Sequence, residues 1–85
     1  MKKKYNVAIV GLGQIGSYLY KEILSKRKEI QKKTGKIINL VSISAKNKNK
    51  KRKFKINKKI FYTDPLKMIS DEKIDIIFEC IGLSD

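Results

Sequence analysis

Three glycines lie between a short apolar run and a longer amphipathic segment near the start of the chain. They are Gly11, Gly13 and Gly16, and they form the pattern G-x-G-x-x-G. Glycine loses more conformational freedom on folding than any other residue, so its repeated use here needs a reason. Without a Cβ atom the backbone is accessible, and a phosphate group can approach its amides closely. The spacing therefore predicts an anion site made of main-chain N–H groups.

Each glycine has a separate expected role when a strand precedes the pattern and a helix follows it. Gly11 permits the tight turn out of the strand, Gly13 lets a pyrophosphate contact the backbone, and Gly16 allows close packing of helix on strand. The amides of residues 13–16 then point at the phosphates of a dinucleotide, assisted by the helix dipole. The alternative is a turn that serves packing only, or a degenerate site, because glycine-rich turns are common.

The residues after the second apolar run favour NADP as the coenzyme, with NAD as the alternative. In NAD sites an acidic residue usually follows the second strand and bonds to the ribose 2′-hydroxyl. Here no acidic residue lies between Glu29 and Asp64, and the strand is followed by Lys46. A cation at this position attracts the 2′-phosphate of NADP. The absent acid is the stronger argument, because a lysine-rich segment is also consistent with a solvated loop.

The net charge of +13 comes mostly from one segment of the chain. Residues 46–59 hold nine of the 21 lysine and arginine residues and no acidic residue. The remaining 12 basic and 8 acidic residues are an ordinary balance. A basic segment of this kind can contact nucleic-acid phosphates, but Phe54 is its only aromatic residue. We therefore expect no nucleic-acid partner.

Length and composition restrict the class of protein further. A chain of 85 residues suffices for one small domain and is too short for a complete two-domain enzyme. No apolar run approaches the roughly 20 residues that cross a bilayer, so we expect no membrane partner. One cysteine, Cys80, and no histidine argue against a disulfide framework or a metal site. We expect a cytoplasmic protein and assign no catalytic residue.

Strands and helices alternate along the chain. We predict strands over 5–10, 37–45, 60–62 and 74–81, and helices over 14–33 and 65–72. This alternation is typical of a parallel sheet covered on both faces, and right-handed crossovers order its strands 3-2-1-4. The predicted fold class is therefore α/β, a Rossmann-like parallel sheet with helices on both faces, and incomplete.

Side-chain patterns assign an inner face to each predicted helix. In the first helix an apolar stripe faces the sheet, and Tyr18 and Tyr20 are expected to pack rather than to bind a ligand. Asp64 is expected to cap the second helix. Its inward residues are expected to be Leu66 and Ile69.

Three stretches carry a more specific signal than the glycine pattern. They are YNVAIVGLGQIGSYLYKEIL, INLVSISAKN and DPLKMISDEKIDIIFECIGLSD. Together they resemble the N-terminal part of bacterial homoserine dehydrogenase. That family has a second strand closing in Ala followed by Arg, a D-P-L helix start and a strand that runs into Glu-x-Ile-Gly-Gly. The last block is the most specific, because many dehydrogenases share only the glycine turn.

The resemblance implies a set of residues that contact the cofactor. They are Gly11, Gly13, Gln14, Ile15, Gly16, Lys46, Ile81 and Gly82. Lys46 stands where the family tends to have the arginine that meets the NADP phosphate, so the charge is kept and the bidentate fork is lost. Leu83 replaces the second glycine at the end of the fourth strand. Its side chain stands where the family's second glycine leaves the backbone bare.

The resemblance also implies an activity that this chain alone would not perform. Residues 1–85 would be the N-terminal part of a dinucleotide-binding domain, without the later domain whose lysine and acidic residue serve proton transfer and substrate binding. The family interconverts L-homoserine and L-aspartate 4-semialdehyde with NAD(P), on the route to threonine and methionine. The full-length protein would then bind a small-molecule substrate and form a homo-oligomer.

Three alternatives stay open at this point. One is a different NAD(P)-dependent dehydrogenase with the same front end, such as a dihydrodipicolinate reductase or an aspartate dehydrogenase. Another is a stand-alone basic module that binds nucleic acid. The last is a regulatory nucleotide-sensing domain without chemistry.

Overall fold

The computed structural model describes residues 3–46 and 56–80, and these residues form an α/β fold. The strands are β1 (Lys4–Val10), β2 (Ile37–Ser44), β3 (Phe61–Tyr62) and β4 (Ile76–Glu79). The helices are α1 (Gln14–Thr34) and α2 (Pro65–Asp71), and one turn of 3-10 helix (Lys58–Ile60) precedes β3. Neither α1 nor α2 has the length and apolar character that a membrane-crossing helix needs.

The four described strands are parallel and lie in the order β3-β2-β1-β4. This confirms the order that right-handed crossovers predict. The register places Val10 beside both Ser44 and Glu79, and Ser44 beside Tyr62. The carboxyl ends of all four strands therefore meet at one edge of the sheet, where ligands bind in folds of this class.

Alternate side chains of β1 enter two separate cores. Val7 and Ile9 are buried on one face, in the cluster that α1 covers. Ala8 and Val10 are buried on the other face, where they contact Met68 of α2. Successive strand residues point to opposite faces, so this central strand is buried on both sides. Helices on both faces of the sheet are confirmed.

The long helix α1 packs on the sheet through one side only. Leu19 and Ile23 pack against the core, and Tyr20 is 3% exposed. Tyr18, in contrast, is 67% exposed, so its expected packing role is wrong. Side chains two positions apart on an α-helix point about 200° away from each other, so Tyr18 and Tyr20 cannot both face the sheet.

The inner face of α2 differs from the predicted one. Met68 is fully buried, whereas Leu66 is 75% exposed and Ile69 is 48% exposed. The start of the helix is as expected, because the Asp64 carboxylate accepts the amide of Leu66 at 3.0 Å. Little more than one residue of a two-turn helix can contact the sheet. Because the Asp64 cap fixes where the helix begins, that residue is Met68. Leu66 and Ile69 were therefore wrongly assigned to the core.

The strand β4 begins two residues later than predicted and is exposed along its length. Asp75 ends the preceding turn, where its carboxylate accepts the amide of Asn6 at 2.7 Å. Ile76, Ile77 and Phe78 are 38–44% exposed. The two helices pack mainly over the other three strands, and within the described ranges no further strand pairs with the outer edge of β4. Apolar surface is therefore left open on both faces of this edge strand.

We predict that Met68→Ala lowers the free energy of unfolding by about 2–5 kcal/mol, because it leaves a cavity between α2 and the sheet. Leu66→Ala is the matched control on the same helix, and its exposed side chain predicts a change below about 0.5 kcal/mol. Urea denaturation followed by circular dichroism measures both values. Equal losses for the two variants would contradict the assigned inner face.

Candidate functional site

The turn that leaves β1 depends on the first glycine of the motif. Gly11 has a φ of 96°, a left-handed conformation that residues with a side chain rarely adopt. Its amide donates to the carbonyl oxygen of Ser44 at 2.7 Å, so the turn is held against the end of β2. The chain is thereby directed out of the sheet at the carboxyl edge.

The third glycine of the motif brings α1 into backbone contact with this turn. A Cβ atom at Gly16 would lie 1.8 Å from the carbonyl oxygen of Gly11 and 2.9 Å from its carbonyl carbon. Both atoms belong to the backbone and cannot rotate away. The first turn of α1 can therefore lie directly on the end of β1 only if position 16 is glycine.

The second glycine of the motif leaves the start of α1 uncapped. Gly13 occupies the N-cap position with extended backbone and offers no side-chain oxygen to the first turn. Its carbonyl oxygen accepts from the amide of Ser17 at 2.9 Å, the first bond of the helical ladder. No acceptor within residues 3–46 or 56–80 meets the amides of residues 13–16. These amides and the helix dipole together suit an anion.

Some side chains around the uncapped turn hold it in place, and others are exposed. Leu12 is buried, and its carbonyl oxygen accepts the hydroxyl of Ser17 at 3.0 Å. Gln14 and Ile15, by contrast, are exposed on the first turn of α1. The backbone of the turn is thus fixed while its outer surface stays open.

Lys46 lies at the same edge of the sheet, two residues beyond the end of β2. It is exposed, and the preceding residue, Ala45, donates its amide to the carbonyl oxygen of Tyr62 at 3.2 Å. The structure therefore places Lys46 and the glycine turn at the carboxyl ends of adjacent strands. Ile81 and Gly82, the other two predicted cofactor contacts, lie outside the described residues.

Cys80 has a buried position at the carboxyl end of the sheet. Its side chain is 4% exposed, and its amide donates to the carbonyl oxygen of Val10 at 2.7 Å. Burial raises the pKa of the Cys80 thiol, and the neighbouring Glu79 carboxylate raises it further. A thiol that stays protonated at neutral pH is a poor nucleophile. This cysteine therefore gives no reason to assign covalent chemistry to the site.

One feature of the site was missed by the sequence reasoning, which gave Tyr20 a packing role only. The phenol oxygen of Tyr20 accepts the amide of Asn57 at 3.1 Å. This bond ties α1 to the last residues of the lysine-rich segment, where the described chain resumes at residue 56. The residue type could have indicated this hydrogen bond, because a buried tyrosine usually finds a hydrogen-bond partner.

The geometry agrees with a known family of proteins. A family model described as an oxidoreductase family with an NAD-binding Rossmann fold matches residues 5–82. The chain belongs to this family. A nicotinamide coenzyme is therefore the class of cofactor for this domain, and the predicted Rossmann-like fold is confirmed.

Similar proteins carry a more specific name than the family does. Homoserine dehydrogenases of Bacillus subtilis and Methylobacillus glycogenes are 28% and 29% identical to this chain over 80 residues. Each match covers 94% of this chain, but only 18% and 19% of the respective relative. The chain thus spans about a fifth of the length of the curated relatives that it matches.

Solved structures give the same result in three dimensions. Crystal structures of S. aureus homoserine dehydrogenase at pH 7.5 and pH 8.5 superpose with a TM-score of 0.81 at 36% and 35% identity. They cover 91% and 93% of this chain and 20% of that enzyme's chain. The resemblance that the sequence stretches predicted is confirmed by these matches.

We predict that Gly16→Ala weakens NAD(P)H binding at least about tenfold and lowers the free energy of unfolding by about 1–3 kcal/mol. The added methyl group would push α1 away from Gly11 and displace the uncapped amides. Fluorescence titration of the coenzyme and urea denaturation measure the two effects.

Gly35→Ala is the matched control for this prediction. Gly35 ends α1 with a φ of 75°, and a Cβ atom at this position would meet no other atom within 4 Å. Alanine there should cost about 1–2 kcal/mol of stability through backbone strain and leave coenzyme affinity unchanged. Normal coenzyme binding by Gly16→Ala would rule out the assigned role of the glycine contact.

Proposed function

We propose that this chain is the NAD(P)-binding portion of a homoserine dehydrogenase, which interconverts L-homoserine and L-aspartate 4-semialdehyde. The observation that carries the proposal is the superposition on S. aureus homoserine dehydrogenase over 91% of the chain at 36% identity. The activity belongs to the pathway that makes threonine and methionine. A cytoplasmic location and a homo-oligomeric full-length protein are part of the same proposal.

In this proposal the backbone of residues 13–16 binds the pyrophosphate of the coenzyme. The support is the cradle at this turn, in which the amides lack acceptors among the described residues and a Cβ at Gly16 would meet the backbone. Gln14 and Ile15 lie beneath the bound coenzyme, and Ile81 and Gly82 lie beside it. Negative charge at the start of α1 is favoured by the helix dipole.

The chemistry divides between coenzyme and protein. When bound, a nicotinamide coenzyme supplies hydride transfer. The residues of this chain hold and orient it, since the glycine turn fixes the diphosphate and the carboxyl edge of the sheet fixes the direction in which the ligand extends. No general acid or base is assigned within this chain, so binding and orientation are its whole contribution.

The finer proposal is that the coenzyme is NADP, with Lys46 as a contact to its 2′-phosphate. Elsewhere in the structure, Lys26, Lys33 and Lys67 each pair with a carboxylate four residues away. Lys46 has no such partner among the described carboxylates. Its charge is therefore available to a ligand, and β2 ends without the acid that would bond to a free 2′-hydroxyl.

We predict that Lys46→Glu lowers the ratio of kcat/KM for NADPH over NADH about tenfold or more in the full-length enzyme. A carboxylate at this position repels the 2′-phosphate and accepts a bond from the 2′-hydroxyl of NADH. Lys36→Glu changes the net charge equally at the opposite edge of the sheet and should leave the ratio unaltered. A wild-type preference for NADH would refute the assignment of NADP.

A substrate domain outside these 85 residues is also part of the proposal. Its support is the open apolar surface of β4, together with relatives whose chains are about five times longer. Three successive exposed apolar residues on an edge strand favour cover by another part of a protein. We propose that the polypeptide after Asp85 covers β4 and supplies the groups that bind substrate.

We predict that the reading frame continues past Asp85 and that the longer polypeptide reduces NADP when L-homoserine is added. The 85-residue chain alone should show no turnover, because the proposal places the substrate-binding groups in the later domain. Coenzyme reduction is followed by absorbance, with L-aspartate as the comparison substrate. A stop codon directly after Asp85 would contradict the proposal, and oxidation of L-aspartate alone would favour an aspartate dehydrogenase.

A further inference from the structure

Tyr20 connects the coenzyme-binding helix to the turn of chain that precedes β3. It lies six residues after Gln14, so it is about 9 Å along α1 from the start of the helix. Its ring is buried in the core between α1 and the sheet. Its oxygen accepts the amide of Asn57 at 3.1 Å, across 37 positions of sequence. A phenylalanine would fill the same space, so the hydroxyl itself needs an explanation.

Asn57 starts the one-turn helix Lys58–Ile60, and a bond to its amide therefore positions the whole turn. The carboxamide oxygen of Asn57 accepts the amide of Lys59 at 3.0 Å. Its carbonyl oxygen accepts the amide of Ile60 at 3.3 Å. Ile56 and Ile60 pack against the core cluster that α1 covers. The turn is thus a compact unit, and Tyr20 is its polar link to α1.

This turn lies next to β2, on the amino-terminal side of the short β2–β3 pairing. It leads directly into β3, which pairs with the last two residues of β2. Its two lysines, Lys58 and Lys59, are exposed and have no carboxylate partner within the described residues. The turn therefore carries two cations without a described carboxylate partner, and the two residues of β3 separate it from the level of Ser44, the strand end that Lys46 follows.

We propose that Tyr20 is a positioning residue that sets the affinity for the 2′-phosphate of the coenzyme, an inference that rests on the proposed function. The same helix presents the diphosphate-binding amides at its start and, through Tyr20, holds the cationic turn. The hydroxyl thereby fixes the distance between the diphosphate and the positive charge near β2. Coulomb attraction falls with distance, so a turn that is no longer held at this distance attracts the phosphate less.

The test compares two ligands that differ in the 2′-phosphate, 2′,5′-ADP and ADP, by calorimetry on the intact protein. Tyr20→Phe keeps the buried ring and removes the acceptor. We expect its affinity for 2′,5′-ADP to fall on the order of tenfold and its affinity for ADP to change less than twofold. Tyr18→Phe is the matched control, because Tyr18 is 67% exposed on the same helix. It should change neither affinity.

A second pair of variants removes the same bond from the other side. Asn57 has a φ of −71°, which proline adopts without strain, so Asn57→Pro deletes the donor amide. Asn57→Ala keeps that amide and loses only the side-chain bond to Lys59. We expect the selective loss of 2′,5′-ADP affinity in Asn57→Pro and a smaller one in Asn57→Ala. This pair keeps the inference testable if Tyr20→Phe does not fold.

The outcomes separate a positioning role from a structural one. A role in stability alone lowers the melting temperature and affects both ligands alike, and that result would overturn the inference. Unchanged affinities in both Tyr20→Phe and Asn57→Pro would overturn it as well. Wild-type protein that binds ADP as tightly as 2′,5′-ADP would refute the NADP assignment and this inference with it. Failure to bind either ligand would refute the proposed function itself.

Discussion

The contact between Gly16 and the carbonyl group of Gly11 determines how the rest of the structure is arranged. Because position 16 has no side chain, α1 begins directly on the end of β1. That placement leaves the first amides of the helix at the carboxyl edge and lets Leu19 and Ile23 reach the core. It also sets where Tyr20 meets the turn that precedes β3. The absence of a side chain at Gly16 therefore allows both the packing of α1 on the sheet and the exposure of its first amides at the carboxyl edge.

The two edges of the sheet carry different chemistry. At the amino edge polar groups are satisfied internally, since the side-chain amide of Asn39 donates to Asn6 and the carboxylate of Asp75 accepts from the Asn6 backbone. At the carboxyl edge the amides of residues 13–16 lack acceptors among the described residues. Polar groups that are hydrogen-bonded within the protein contribute to stability, whereas polar groups without a partner favour binding of a polar ligand. This asymmetry supports the proposed ligand site at the edge where the strands end.

Local chemical markers made most of the fold predictable from the sequence. The glycine motif and the Asp64 cap each define where a helix begins, and the structure has both helices beginning there. The inner face of α2 could not be predicted in this way, because a two-turn helix has too few residues for periodicity to select Met68. The bond between Tyr20 and Asn57 joins residues 37 positions apart. No local pattern contains such a pair.

The candidate site was predictable to a similar extent. Gly11, Gly13 and Gly16 could be identified because their type is required by backbone geometry, and the structure shows that geometry at the first and third of them. Lys46 is proposed from its charge, from the missing acid and from the family resemblance, because no backbone geometry requires a lysine there.

Met68 is fully buried between α2 and the sheet. Peroxide converts methionine to a polar sulfoxide, and a fully buried sulfur is reached only when its helix detaches from the sheet. The oxidation rate of Met68 therefore measures how often α2 separates from the sheet.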